Sequence, residues 1–207
     1  MPLLRRSAFC FAPNSEYRPP INRQSASSKT YSFTIETDSI RLRAFAPRDL
    51  DALRALTMQT EITDLLPDWE MTEAQLTDFL SFVIGSYDRF DPADVRILLA
   101  IEHKADERLI GWCGVFPNDL LDPANREVAH AVSKDYRDRG YATKAVQTMI
   151  AFIFRQTELE RVAAIVKPMN VASRSVLLKA GFRRVDRRTL SDGQDYVYFE
   201  TRSIWSE

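Results

Sequence analysis

Two cysteines and two histidines in 207 residues leave little material for a metal centre or a disulfide framework. Cys10 and Cys113 stand far apart, without metal-ligand spacing, and fit a reducing compartment. With His103 and His130 as the only imidazoles, no metal site is expected. No apolar run approaches the ~18–20 residues of a membrane span. The apolar stretch after Arg5-Arg6 is too short for a secretory signal, so a cytoplasmic location is expected, although an Arg-rich, acid-poor leader and an extended start both stay open. No repeat is present. The net charge of −1 gives no general pull toward nucleic acid or an anionic membrane.

The charge is unevenly spread. Five of the 28 Lys/Arg and one of the 29 acids fall in residues 1–33, so the remainder carries 23 basic against 28 acidic groups and tolerates a cationic or amine-bearing ligand. Residues 1–33 also hold four of the ten prolines and a polar run, Gln24-Ser25-Ala26-Ser27-Ser28. They read as a poorly ordered arm before one domain over 34–207, whose 45% hydrophobic content suits a single sizeable core for the whole chain. The arm shows no basic–aromatic interleaving suited to nucleic acid.

Strand patterning starts around Tyr31–Ile35 and continues through Ile40–Phe45. Thr72-Glu73-Ala74-Gln75 has the form of a capping box, followed by Leu76, Phe79, Leu80, Val83 and Ile84 at helical spacing. Arg96–Glu102 and Leu109–Phe116 read as a hairpin, and Glu127–Val132 as a further strand. A helix over 141–155, a strand at Val162–Val166, a helix over 171–180 and a strand at Tyr196–Thr201 after the Asp192-Gly193 turn complete the order. Strands and helices that alternate in this way predict an α/β (α+β) domain around one mixed sheet, with a ligand where neighbouring strands part.

The most informative stretch is Arg137-Asp138-Arg139-Gly140-Tyr141-Ala142. It opens a helix whose apolar face runs Ala142, Ala145, Val146, Met149, Ile150 and Ile153. The first turn of a helix offers unpaired N–H groups and the positive end of the helix dipole to an anion. Gly140 and Ala142 let a phosphate approach the backbone, and the two arginines add charge. A surface turn with two solvated arginines is the competing reading.

That hexapeptide resembles the Gln/Arg-x-x-Gly-x-Gly/Ala loop of the GNAT superfamily of acetyl-CoA-dependent N-acetyltransferases. Asn170-Val171-Ala172-Ser173 through Lys179-Ala180-Gly181-Phe182 is similar to the Asn-x-x-Ser…Lys-x-Gly-Phe element that follows in the family. Ile40–Phe45 with Arg48-Asp49-Leu50 resembles its first strand and helix entry. The resemblance spans about residues 34–203 and is nearest to the ribosomal-protein-alanine acetyltransferase branch. It implies the GNAT fold, a mixed central sheet with helices on both faces and splayed strands at the cofactor site. It also implies transfer of an acetyl group from acetyl-CoA to a primary amine, on a protein N-terminus or a small molecule.

By that resemblance the cofactor-binding residues are Val132, Lys134, Arg137, Arg139, Gly140, Tyr141, Ala142, Thr143 and Asn170, with the Val132 N–H facing the developing oxyanion. Glu127 is the candidate base, working through water, with Asp68, Glu70 and Asp195 in reserve; a solvated strand-edge carboxylate is the competing reading. Asn170 reads as a helix N-cap. Ser173 is the candidate acid for the leaving thiolate, against a locally bonded first-turn serine. Many family members carry a tyrosine acid five residues before the final phenylalanine. Here that place is Leu177, which leaves open a catalytically weak acyl-CoA-binding sensor or interaction domain. Trp69 is the modest candidate to border the acceptor channel, since buried aromatics more often belong to the core than to a site. The aromatic strand near Tyr198 is expected as an edge that could pair in a homodimer.

Overall fold

The computed structural model describes residues 33–203. Eight strands form one sheet: β1 (Thr34–Glu36), β2 (Ile40–Arg43), β3 (Ile97–His103), β4 (Arg108–Phe116), β5 (Glu127–Val132), β6 (Arg161–Val166), β7 (Arg183–Thr189) and β8 (Asp195–Arg202). Their order is β1-β2-β3-β4-β5-β6-β8-β7, antiparallel throughout except for the β5–β6 pair. The helices are α1 (Leu50–Thr57), α2 (Thr60–Thr63), α3 (Glu73–Ser86), α4 (Tyr141–Gln156) and α5 (Val171–Lys179). None of the described helices is long and apolar enough to cross a membrane.

Alternation along β3 shows why the sheet is covered twice. Ile97, Leu99 and Ile101 join the cluster under α4 and α5, with Val146, Met149, Ile153 and Leu177. Leu98 and Ala100 point the other way, to Leu53, Ile62, Leu76, Leu80 and Val83 of α1–α3. Both faces of the strand are dry, which is why β3 reads as a continuous apolar run.

Local chemistry sets the helix starts. The Thr72 hydroxyl accepts the Gln75 N–H, and the Gln75 side chain accepts the Thr72 N–H, so the expected capping box forms. Arg43 on β2 forks onto Asp49 at 2.7 and 2.8 Å and reaches Glu102 of β3 at 2.6 Å, which ties the entry of α1 to the sheet. Burial works to raise the Asp49 pKa, but the Arg43 guanidinium and the Ala46 N–H outweigh it, and the carboxyl sits below its usual range.

Three expectations need correction. The strand at Tyr198 is no edge: β8 lies between β6 and β7, and β7 takes the outer place. β7 itself has no counterpart in the sequence reading, because its exposed Arg-Arg-Val-Asp-Arg-Arg-Thr run has no buried stripe to reveal it. Phe33, counted with the arm, packs its ring against Tyr87, Phe90 and Phe152. Residues 1–32, and with them Tyr31, Ser32 and the rest of the expected arm, lie outside the described residues.

Candidate active site

β5 follows β4 through six consecutive register pairs, from Phe116↔Glu127 to Gly111↔Val132. On its other edge it shares one pair with β6, Glu127↔Ala163, and beyond it the two strands part. The consequence for the backbone is direct. Ser133 N–H donates to Ile110 of β4 at 2.7 Å, and N–H groups alternate in direction along a strand, so the Val132 N–H points into the opening. The Val132 carbonyl on the same edge is reached by Arg137 Nε at 3.5 Å.

A cleft of about 330 Å³ occupies this opening. Val132, Arg137, Gly140, Tyr141, Ala142 and Thr143 line one side, and Asn170 and Ser173 at the start of α5 line the other. Gly140 caps α4 with φ +80°, a conformation that L side chains resist, and a Cβ there would stand in open space facing no atom within 4 Å. The first intrahelical bond runs from Lys144 N–H to Gly140, so the earlier N–H groups have no helical acceptor. The chemistry of this helix start fits an anion such as a pyrophosphate.

The loop before α4 is braced from the β3–β4 hairpin. His103 Nε2 lies 2.8 Å from the Tyr141 hydroxyl, and the Tyr136 hydroxyl donates to Asp106 at 2.6 Å. Arg137 donates to the Glu61 carbonyl at 2.9 Å, joining the loop to α2. Arg139 does not line the cleft; its guanidinium lies 5.6 Å from the centre of the Tyr136 ring. Lys134 is also outside the lining, and its N–H is taken by Gln59 Oε1 at 2.9 Å. The sequence offered no sign of that long-range bond.

Glu127 sits at the vertex where β5 and β6 separate, and it too is outside the residues that line the cleft. Its carboxylate accepts the Ile165 N–H at 3.2 Å and the Asn118 side-chain N–H at 2.5 Å. The residue is 8% exposed, so the solvated strand-edge reading is wrong. Burial pushes its pKa up to about 7, with the Asn118 and Ile165 hydrogen bonds opposing. Glu127 also acts on Tyr196 of β8, whose phenol it helps to raise after the larger effects of burial and Asp192. Of the reserve carboxylates, Asp195 is engaged by Thr189 and Arg187.

Asn170 is the N-cap of α5, its side chain accepting the Ser173 N–H at 3.0 Å. The Ser173 hydroxyl is 3.4 Å from His130 Nε2. His130, not singled out in the sequence, lines the cleft, and burial pushes its pKa down to about 4, so it stays neutral at working pH. Strand alternation puts it on the opposite face from Glu127, which is the signal that could have found it. Trp69, expected at the acceptor channel, is 0% exposed and stacks on Trp112 at 3.7 Å in the α1–α3 cluster, away from the lining. Leu177 is buried in the α4–α5 cluster. Among the described residues no group of three or more His, Cys, Asp or Glu could hold a metal ion.

Splayed parallel strands, a glycine-capped helix at their mouth and an Asn-capped helix opposite form the arrangement expected from the motifs. The family profile of the acetyltransferase (GNAT) domain matches residues 39–183. The chain belongs to the GNAT acetyltransferase family. The uncharacterized N-acetyltransferase YnaD of Bacillus subtilis (strain 168) is 24% identical over 150 residues, covering 72% of this chain and 82% of YnaD. The crystal structure of the ribosomal-protein-S5-alanine acetyltransferase from Vibrio fischeri superposes with a TM-score of 0.68 at 15% identity, over 84% of this chain and 98% of that one. The aminoglycoside acetyltransferase AAC(6')-Ib, solved with coenzyme A and kanamycin, superposes with a TM-score of 0.64 at 20% identity, over 79% of this chain and 95% of its own. These two likenesses establish the shared GNAT fold; the acceptor differs even between them.

Proposed function

We propose that this GNAT protein transfers an acetyl group from acetyl-CoA to a primary amine, on a protein N-terminus or a small molecule, by direct attack on the thioester. The observation that carries the proposal is the buried Glu127 carboxylate at the vertex of the β5–β6 opening, with the α4 anion cradle at the mouth of the same opening. In this reading Gly140, Tyr141, Ala142 and Thr143 hold the pyrophosphate with backbone N–H groups. Arg137 adds charge, and Asn170 borders the pantetheine arm. The acetyl carbonyl lies against the Val132 N–H, a preorganised donor where negative charge develops.

The amine must lose a proton as its nitrogen bonds to the carbonyl carbon. Glu127, with a pKa of about 7, takes it through water. That value lies within about one unit of a backbone α-amine, whereas a lysine amine at about 10.4 is a worse match. The C–S bond then breaks, and the Ser173 hydroxyl donates a proton to the departing thiolate. AAC(6')-Ib in complex with kanamycin and the S5-alanine enzyme illustrate the two acceptor classes of this proposal.

One observation favours a second reading, a catalytically weak acyl-CoA-binding domain: the place of the tyrosine acid is taken by the buried alkyl side chain of Leu177. Assay of CoA thiol release against N-terminal peptides and small polyamines, for wild type and Glu127→Gln, decides between them. The enzyme reading expects turnover with at least one class, lost in the variant while acetyl-CoA still binds. Binding with no turnover on any acceptor supports the second reading.

A further inference from the structure

Asn118 lies in the segment between β4 and β5, outside every motif of the family resemblance, and is 5% exposed. Its two ends are committed in opposite directions. The side-chain carbonyl accepts the Leu120 N–H at 2.8 Å, and the side-chain amide donates to Glu127 Oε2 at 2.5 Å. The Leu120 contact fixes which end is which: a flipped amide would face an N–H with an N–H and a carboxylate with a carbonyl. Glu127 Oε1 is held separately by the Ile165 N–H, on the strand that has parted from β5. The carboxylate is thus gripped by one donor on each oxygen.

We propose that Asn118 is the positioning residue of the base, orienting the Glu127 carboxylate across the β5–β6 opening and holding it in the ionised form that accepts a proton. The inference rests on the reading of Glu127 as the base and deepens it. A donor to the ionised form stabilises that form alone, so losing it moves the titration of Glu127 upward. The other groups facing this carboxyl are the Ile165 N–H of β6 and Tyr196 of β8. The phenol is neutral near pH 7, its pKa being raised by burial and Asp192. His130 points to the opposite face of β5, and burial keeps it neutral, so it supplies no limb near pH 7.

The test is the pH dependence of kcat/KM from pH 5.5 to 9.5 for wild type, Asn118→Asp, Asn118→Leu, Glu127→Gln and His130→Gln. Thermal melting checks that each variant is folded. Asn118→Asp keeps an oxygen for the Leu120 N–H, removes the amide donor to Glu127 and sets a second carboxyl beside it. Asn118→Leu removes both contacts without adding charge. The proposal expects the acidic limb, near pH 7 in wild type, to move up by about one to two pH units in Asn118→Leu and at least as far in Asn118→Asp, with part of the rate recovered at high pH.

His130→Gln is expected to leave the limb in place, and Glu127→Gln to abolish it. A uniform loss at every pH in both Asn118 variants, with the limb unmoved, overturns the proposal and leaves Asn118 a loop fastener. If the limb survives Glu127→Gln, the base assignment itself fails, and the Asn118 proposal falls with it.

Discussion

The two edges of β5 are built for opposite ends. Toward β4 the strand is laddered along its whole length, and the approach is so close that a Cβ on Gly111 would stand 2.1 Å from the Ala131 carbonyl oxygen. Toward β6 it keeps one register pair, at Glu127↔Ala163, and then opens into a cleft of about 330 Å³. The first edge spends its donors on the fold. The second turns the Val132 N–H toward the cleft, with the mouth of α4 beside it. Within a single six-residue strand, scaffold and site are separated by direction, and substitutions on the two edges should fail in different ways.

The largest expected effect is on the open edge. Glu127→Gln should lower kcat/KM at pH 8 by roughly 10²–10⁴-fold while acetyl-CoA affinity changes by no more than a few-fold, measured by turnover and calorimetry. The same variant carries a stability signature. Glu127 binds its proton more tightly in the folded protein, at about 7 against its ordinary value of 4.5. The native state then holds more protons between these values, so its stability contribution is full below about 4.5 and lost as pH rises through 7. Chemical denaturation at pH 5 and pH 8 should show wild type losing on the order of 3 kcal/mol relative to Glu127→Gln over that range.

The laddered edge should respond in stability instead. Gly111→Ala forces a methyl group onto the Ala131 backbone, and overpacking of this kind costs about 1–3 kcal/mol. Its melting temperature should fall by several degrees, while the folded fraction keeps its acetyl-CoA affinity. The smallest effect belongs to Ser173→Ala, which should slow turnover by roughly tenfold or less, since water can also protonate a thiolate leaving group. A Gly111→Ala protein that melts normally yet binds no acetyl-CoA would erase the distinction between the edges.

The two helix starts that flank the cleft were readable in the sequence because their signals are local. Gly140 before the apolar stripe of α4, and Asn170 three residues before Ser173, each state a helix start within a few positions. The capping box of α3 is of the same kind. What escaped depends on partners brought in by the fold. The burial of Glu127 needs Asn118 and Ile165, the stacking of Trp69 needs Trp112, and the Lys134 N–H is spent on Gln59. β7 escaped for another reason: an edge strand with most of its side chains in water carries arginines where a buried strand would show alternation.

The measurement closest to the central claim is calorimetric titration of the wild-type protein with acetyl-CoA beside Gly140→Glu, with the fold of each checked by melting. The Glu side chain would bring a carboxylate to the N-terminus of α4, where the pyrophosphate is expected. The account predicts saturable one-to-one binding by wild type, weakened at least a hundredfold in the variant. A folded wild-type protein that takes up no acetyl-CoA, or a variant that binds it as well as wild type, would contradict it.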